Sequence, residues 1–231
     1  MAELGAGSRL RRLDWYGDLY SEAIRAGRGP LFLCRSDGWM LPLEIERWCA
    51  DADEVDQEVL RRCRGSVLDI GCGPGRFAVA LRARRHEVLG IDVSAVAVQR
   101  TRDNGAEALC LSVYDRLPGE GSWNTTLLMD GNIGIGGDPT ALLRRIADIT
   151  APDGLLLVEV ANTDVDERVT VHVADSNGGR GDHFAWARLG IEALSRLASD
   201  TDWRLDEHWQ VDGRGFAALR APSPPQHEKR R

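Results

Sequence analysis

The sequence predicts an α/β protein built on a mostly parallel sheet with helices packed beside it. Three observations predict it. Between residues 66 and 160, short apolar runs alternate with helix-length segments, the rhythm of strand–helix units joined by right-handed crossovers. The first run, Val67 to Ile70, enters a turn with glycines at alternate positions, Gly71, Gly73 and Gly75, and a helical stretch follows. After residue 160 the rhythm breaks, and the last two strand-like runs, 203–210 and 216–220, flank Asp212-Gly213, a hairpin signal.

Residues 1–63 read as a helical cap. Residues 14–25 carry Trp15, Tyr16, Leu19, Tyr20 and Ile24 at roughly helical spacing, and Gly27-Arg28-Gly29-Pro30 stops that helix. Residues 31–43 are mixed, with a turn at Ser36-Asp37-Gly38. Helices are expected over 43–49 and 52–62, and the region shows no alternating strand pattern.

The core domain, residues 64–221, follows. Strands are expected at 66–70, 87–93, 108–113, 125–129 and 155–160, and helices at 74–84, 95–102 and 139–149. Ser94 and Asp138 are N-caps for the second and third of these helices, with Pro139 at the first helical position. Residues 168–173 alternate like a strand and 184–187 provide its return. A helix over 191–199 precedes the terminal hairpin. The tail, 222–231, is proline-rich and charged, so disorder is expected there.

The glycine turn carries the chemistry. Its pattern is Asp69-x-Gly71-x-Gly73-x-Gly75, and Arg76 stands where a dinucleotide fingerprint has its third glycine. A carboxylate at the lip of the sheet suits a cationic ligand and repels a pyrophosphate, which disfavours a nicotinamide oxidoreductase. S-adenosylmethionine carries an ammonium and a sulfonium and no phosphate. The stretch resembles motif I of the class I S-adenosylmethionine-dependent methyltransferases, and the resemblance extends over about residues 66–220. It implies a Rossmann-like fold, a seven-stranded sheet in the order 3-2-1-4-5-7-6, and S-adenosylmethionine as cofactor.

The same resemblance assigns further positions. Asp92 ends the second strand, 21 positions beyond Gly71, where a carboxylate accepts hydrogen bonds from ribose hydroxyls. Val93, Val113 and Tyr114 fall where the family contacts adenine, although Ser112 replaces the acidic residue many members carry. Asp115 either substitutes for it or begins a turn. Asp69, Gly71, Gly73 and Asp130 complete the expected cofactor set. Asp130 opens the glycine-rich loop 131–137 at the switch point of the sheet.

The acceptor site is less well marked. Tyr16, Trp39, Asn132, Trp186 and Arg188 are the expected substrate contacts. His172 and His183 are the candidate bases, because their segment follows the fifth strand and is placed to fold over the site. The segment 162–188 is long for a connection and reads as an antiparallel lid.

Composition narrows the function. The net charge of −7 argues against nucleic acid as a partner. The one lysine, Lys229, excludes a Walker P-loop. The cysteines, Cys34, Cys49, Cys63, Cys72 and Cys110, form no C-x-x-C pair, so no metal site is expected. No apolar run approaches a membrane span and no signal-peptide core is visible, so a cytoplasmic location is expected. The reading is a methyltransferase acting on oxygen or nitrogen of a small molecule. The alternatives are an RNA or protein methyltransferase and a non-catalytic S-adenosylmethionine-binding module.

Overall fold

The computed structural model describes residues 17–222. Tyr16 and residues 223–231 of the tail lie outside the described residues. The chain begins with α1 (Gly17–Ala26), which buries Tyr20, Ala23 and Ile24 at helical spacing. Two short strands follow, β1 (Leu31–Cys34) and β2 (Met40–Leu43). The N-terminal region is therefore not helical throughout. The first three residues of β2 are exposed, so it lacks the alternation that marks a half-buried strand. Two short helices complete the region, α2 (Ile45–Cys49) and α3 (Glu54–Leu60). A capping box starts α3: Asp53 accepts from the Asp56 N–H and Asp56 accepts from the Asp53 N–H.

The core then runs β3 (Val67–Ile70), α4 (Arg76–Ala83), β4 (Val88–Asp92), α5 (Ala95–Asp103), β5 (Ala108–Cys110) and β6 (Trp123–Leu128). A 3-10 turn, Asn132–Gly137, leads into α6 (Pro139–Ile149) and β7 (Thr150–Val160). The antiparallel pair β8 (Asp166–Asp175) and β9 (Phe184–Leu189) precedes α7 (Ile191–Asp200). The chain closes with β10 (Arg204–Val211) and β11 (Arg214–Arg220).

Seven strands form the main sheet in the order β10-β11-β7-β6-β3-β4-β5. Numbered within the sheet, that is the expected 3-2-1-4-5-7-6. Strands β3 to β7 are parallel, and the terminal hairpin adds β11 and β10 antiparallel. Leu68 and Ile70 of β3 pack with Leu142 and Ile146 of α6, and Val67 packs on the other face with Phe77 and Leu81 of α4. Asp69 shares the α4 face with Val67, because side chains alternate along a strand.

The other strands form a second sheet, β2-β1-β8-β9, entirely antiparallel. It joins two distant segments. Leu33 of β1 stands opposite Val173 of β8. One face carries Leu31, Leu33, Val171, Val173, Phe184 and Trp186 against Ile24 of α1 and Ile45 of α2. The segment read as a lid thus belongs to this second sheet, paired with β1.

A buried ion network ties these parts together. Arg76 at the start of α4 donates to Asp56 of α3 at 2.5 Å and to Asp130 beyond β6 at 2.7 Å. Arg214 of β11 pairs with Asp56 at 2.9 Å and with Glu159 of β7 at 2.8 Å. Arg47 of α2 reaches Asp130 at 2.8 Å. Asp56 is wholly buried, so its removal takes one carboxylate partner from each of two largely buried arginines. Asp56→Ala is predicted to lower the unfolding free energy by about 3–5 kcal/mol, read by urea denaturation. Arg168→Ala, which removes only an exposed pair with Asp166, should leave the midpoint unchanged.

Candidate functional site

The glycine loop leaves β3 at the switch point between β3 and β6, where ligands of such sheets bind. Gly71 and Gly73 both have positive φ, +70° and +54°, which glycine adopts without strain. They serve different ends. A Cβ on Gly71 would lie 2.5 Å from the Asn132 amide nitrogen. That amide donates to the carbonyls of Ile70 and Gly71, each at 3.0 Å. Asn132 therefore fastens the loop to the 3-10 turn. A Cβ on Gly73 would meet only the Tyr20 hydroxyl, at 3.7 Å. Gly73 presents bare backbone to open space.

Asp92 holds the other side of the loop. One carboxylate oxygen accepts from the Gly73 N–H at 2.9 Å and the other from the Ser94 N–H at 2.8 Å. Each oxygen keeps a further lone pair. Burial pushes the carboxyl up to about 6, against the pull of its backbone hydrogen bonds.

The loop floors a cavity of about 760 Å³, its open mouth included. Asp69, Gly71, Gly73, Asp92, Asp130 and Asn132 line one side. Leu33, Leu43, Trp48, Val173 and Trp186 line the other, with Tyr20 of α1 also at the wall. The structure therefore brings most of the expected cofactor residues together, with Asn132 and Trp186. Val93 and Tyr114 lie outside the cavity and are exposed, at 37% and 46%. Val113 is buried in the core of the main sheet. Asp115 accepts from the Ser112 N–H at 2.9 Å and makes a turn.

Four other expected contacts lie elsewhere. His172 alternates with Val171 and Val173, so it faces away from the cavity that Val173 lines. Its ring lies 4.9 Å from that of His183, centroid to centroid. Neither histidine lines the cavity where the expected cofactor residues meet. Arg188 is paired with Glu167 at 3.1 Å, and its guanidinium covers the Trp39 ring at 4.8 Å. Neither Arg188 nor Trp39 lines the cavity. Sequence reasoning did not assign Trp48, Leu33 or Leu43 to the site. Alternation along β1 and β2 is the signal that would place the two leucines, but each strand is only four residues long.

Two charged groups at the site are incompletely paired. Asp69 is buried and its Oδ2 has no hydrogen-bond partner. Burial, with Asp130 and Asp92 nearby, pushes its carboxyl up to about 7 against the pull of Arg76. Arg47 has a buried Nη1 without a partner. Asp130 differs: burial opposes its charge, but Arg76, Arg47 and Arg214 hold it below the usual carboxylate range. An unpartnered buried anion beside glycine backbone fits a ligand carrying an ammonium group.

The raised Asp69 value has a consequence for stability. Its ordinary value is about 4, so the native state binds the extra proton between about 4 and 7. Stability from this group is complete below that window and is lost as pH rises through 7. In the ligand-free protein, Asp69→Asn should therefore raise the melting temperature at pH 8. The gain should be smaller at pH 5 and vanish below pH 4. A gain that is equal at pH 8 and pH 5 would contradict the assignment.

Residues 45–208 match a family model described as a methyltransferase domain. Solved structures share the fold. A SAM-dependent methyltransferase from Bacteroides fragilis, in complex with S-adenosyl-L-homocysteine, aligns with a TM-score of 0.75 at 19% identity, covering 91% of this chain and 96% of that one. The 1,6-didemethyltoxoflavin-N1-methyltransferase of Burkholderia thailandensis aligns at 0.64 and 15% identity, covering 96% and 94%. A sugar N-methyltransferase from a Streptoalloteichus species aligns at 0.54 and 15% identity, covering 77% and 88%. With the family model spanning most of the chain, the sheet order of a class I enzyme and a cavity that fits a cationic ligand, the chain belongs to the methyltransferase-domain family and uses S-adenosylmethionine as its methyl donor.

Proposed function

We propose that the enzyme methylates an oxygen or nitrogen of a small molecule held between the glycine loop and the second sheet. The observation that carries this reading is the two-sided cavity. Its floor is polar and its roof is apolar, built from Leu33, Leu43, Val173 and Trp186. Of the structural neighbours, one acts on 1,6-didemethyltoxoflavin and one is a sugar N-methyltransferase, which is in keeping with a small acceptor.

S-adenosylmethionine, when bound, supplies a methyl group already activated on a sulfonium. The protein's part is then to bind, orient and exclude water. In this reading Asp69 Oδ2 takes the ammonium of the methionine end. Asp92 takes the ribose hydroxyls with its remaining lone pairs. The exposed Val93 and Tyr114 flank the adenine, with Val113 beneath them. Asp130 acts through the arginines it holds, and Asn132 through the loop it fastens.

No base is evident in the apolar half among the described residues. Burial raises the Tyr20 hydroxyl and the Cys72 thiol well above their ordinary values, so both keep their protons at neutral pH. The site therefore suits an acceptor whose reacting atom arrives nucleophilic, a neutral amine or an ionised oxygen. Arg61 and Arg62, which a nucleic-acid groove would need free, are paired with Glu58, and Arg62 also with Glu207. A cytoplasmic site of action belongs to the same proposal. It is supported by five free cysteines, the state a reducing compartment maintains. No helix among the described residues is long and apolar enough to cross a membrane.

Two measurements test the reading. Asp92→Ala should weaken S-adenosylhomocysteine binding by about 1.5–3 kcal/mol, the scale of a hydrogen bond to a charged group, read by calorimetry. Unchanged affinity would remove the ribose role. Methyl-labelled S-adenosylmethionine incubated with the enzyme and a fractionated cell extract should label the low-molecular-mass fraction. Label confined to RNA or protein would contradict a small acceptor. Leu43→Arg, which puts a charge into the apolar roof, should abolish that labelling while leaving S-adenosylhomocysteine affinity within about twofold.

A further inference from the structure

One residue lining the cavity carries a polar group that the cofactor assignment does not use. Trp48 of α2 lines the cavity, and its indole Nε1–H is buried with no hydrogen-bond partner. Buried N–H groups are almost always satisfied. An indole can only donate, so whatever satisfies it must bring an acceptor atom. The surrounding roof, Leu33, Leu43, Val173 and Trp186, carries no charge. A charged ligand group there would lose its hydration and find no counterion.

We infer that Trp48 is a specificity-determining residue for the methyl acceptor. Its Nε1–H donates to a carbonyl oxygen or ring nitrogen on a neutral, flat, otherwise apolar ring system. The apolar roof contributes area without discriminating closely between hydrocarbons. The single donor rejects those that lack the matching atom, because they leave it unpaired. This rests on the cavity being the acceptor site, as proposed above. Position on the chain agrees with it. Arg47, the preceding residue on α2, is paired with Asp130, which lines the same cavity.

The test uses two shape-matched probes, quinoline and naphthalene, which differ by one ring nitrogen. Each is titrated by calorimetry into the wild-type enzyme saturated with S-adenosylhomocysteine, and into Trp48→Phe, which keeps an aromatic ring and removes the donor. The wild type should bind quinoline more tightly than naphthalene. The ratio of the two dissociation constants should shift by about tenfold towards naphthalene in Trp48→Phe, with S-adenosylhomocysteine affinity unchanged. Equal binding of the two probes by the wild type overturns the inference, and so does binding of neither. A preference that survives in Trp48→Phe also overturns it. Lost S-adenosylhomocysteine affinity in a folded Trp48→Phe overturns it too, by assigning the N–H to the cofactor. The wild-type comparison decides even if the variant does not fold. Label found in RNA or protein rather than in small molecules would instead remove the acceptor reading on which the inference rests.

Discussion

The site depends on one buried guanidinium. Arg76 directly follows the last glycine of the loop, and its side chain is 3% exposed. It lies between Asp56 and Asp130, so the first residue of α4 is bound both to α3 and to the end of β6. Arg214 and Arg47 extend the network until three arginines meet three carboxylates, Asp56, Asp130 and Glu159. Burying so many charges carries a large desolvation cost, and such networks contribute more to a unique arrangement than to net stability. Here the arrangement sets the position of the loop relative to Asp130. It also occupies Asp130 with cations, so that Asp69 is the carboxylate left with an unpartnered oxygen.

The second consequence is a division of labour between two sheets. The main sheet supplies the charged and hydrogen-bonding groups at the carboxyl ends of β3, β4 and β6. The small sheet supplies the apolar roof, and it does so from two segments far apart in sequence, β1–β2 and β8–β9. Methyl transfer from a sulfonium needs little from the acceptor side beyond orientation and exclusion of water. A roof of this kind can change its side chains, and hence its acceptor, without disturbing the cofactor floor.

These two halves were unequally legible in the sequence. Val67 to Ile70, the alternate glycines and Asp92 act locally, through a short strand, a tight turn and a strand end, and local patterns reveal them. The order of the main sheet is what the family resemblance carried by these residues implies. The roof is different. Strands β1 and β2 have four residues each, and β8, the other partner of β1, lies more than a hundred residues away, so no local window reports that pairing. Trp48 and Arg47 sit on a helix of five residues, too short for its buried face to be read from periodicity. His172 was open to a better reading: valines at 169, 171 and 173 share the inner face, and strict alternation already placed the histidine outside. Arg188 is engaged by Glu167 and Trp39 by the guanidinium of Arg188, contacts between segments far apart in sequence.

The central claim is that the glycine loop and the small sheet enclose one continuous site, with the cofactor on the floor and the acceptor under the roof. A crystal structure of the enzyme with S-adenosylhomocysteine tests it most directly. The account predicts both ribose hydroxyls within hydrogen-bond distance of the Asp92 carboxylate, the amino group against Asp69 Oδ2, and the sulfur facing Leu33, Val173 and Trp186. A complex in which the sulfur opens away from the small sheet would contradict it.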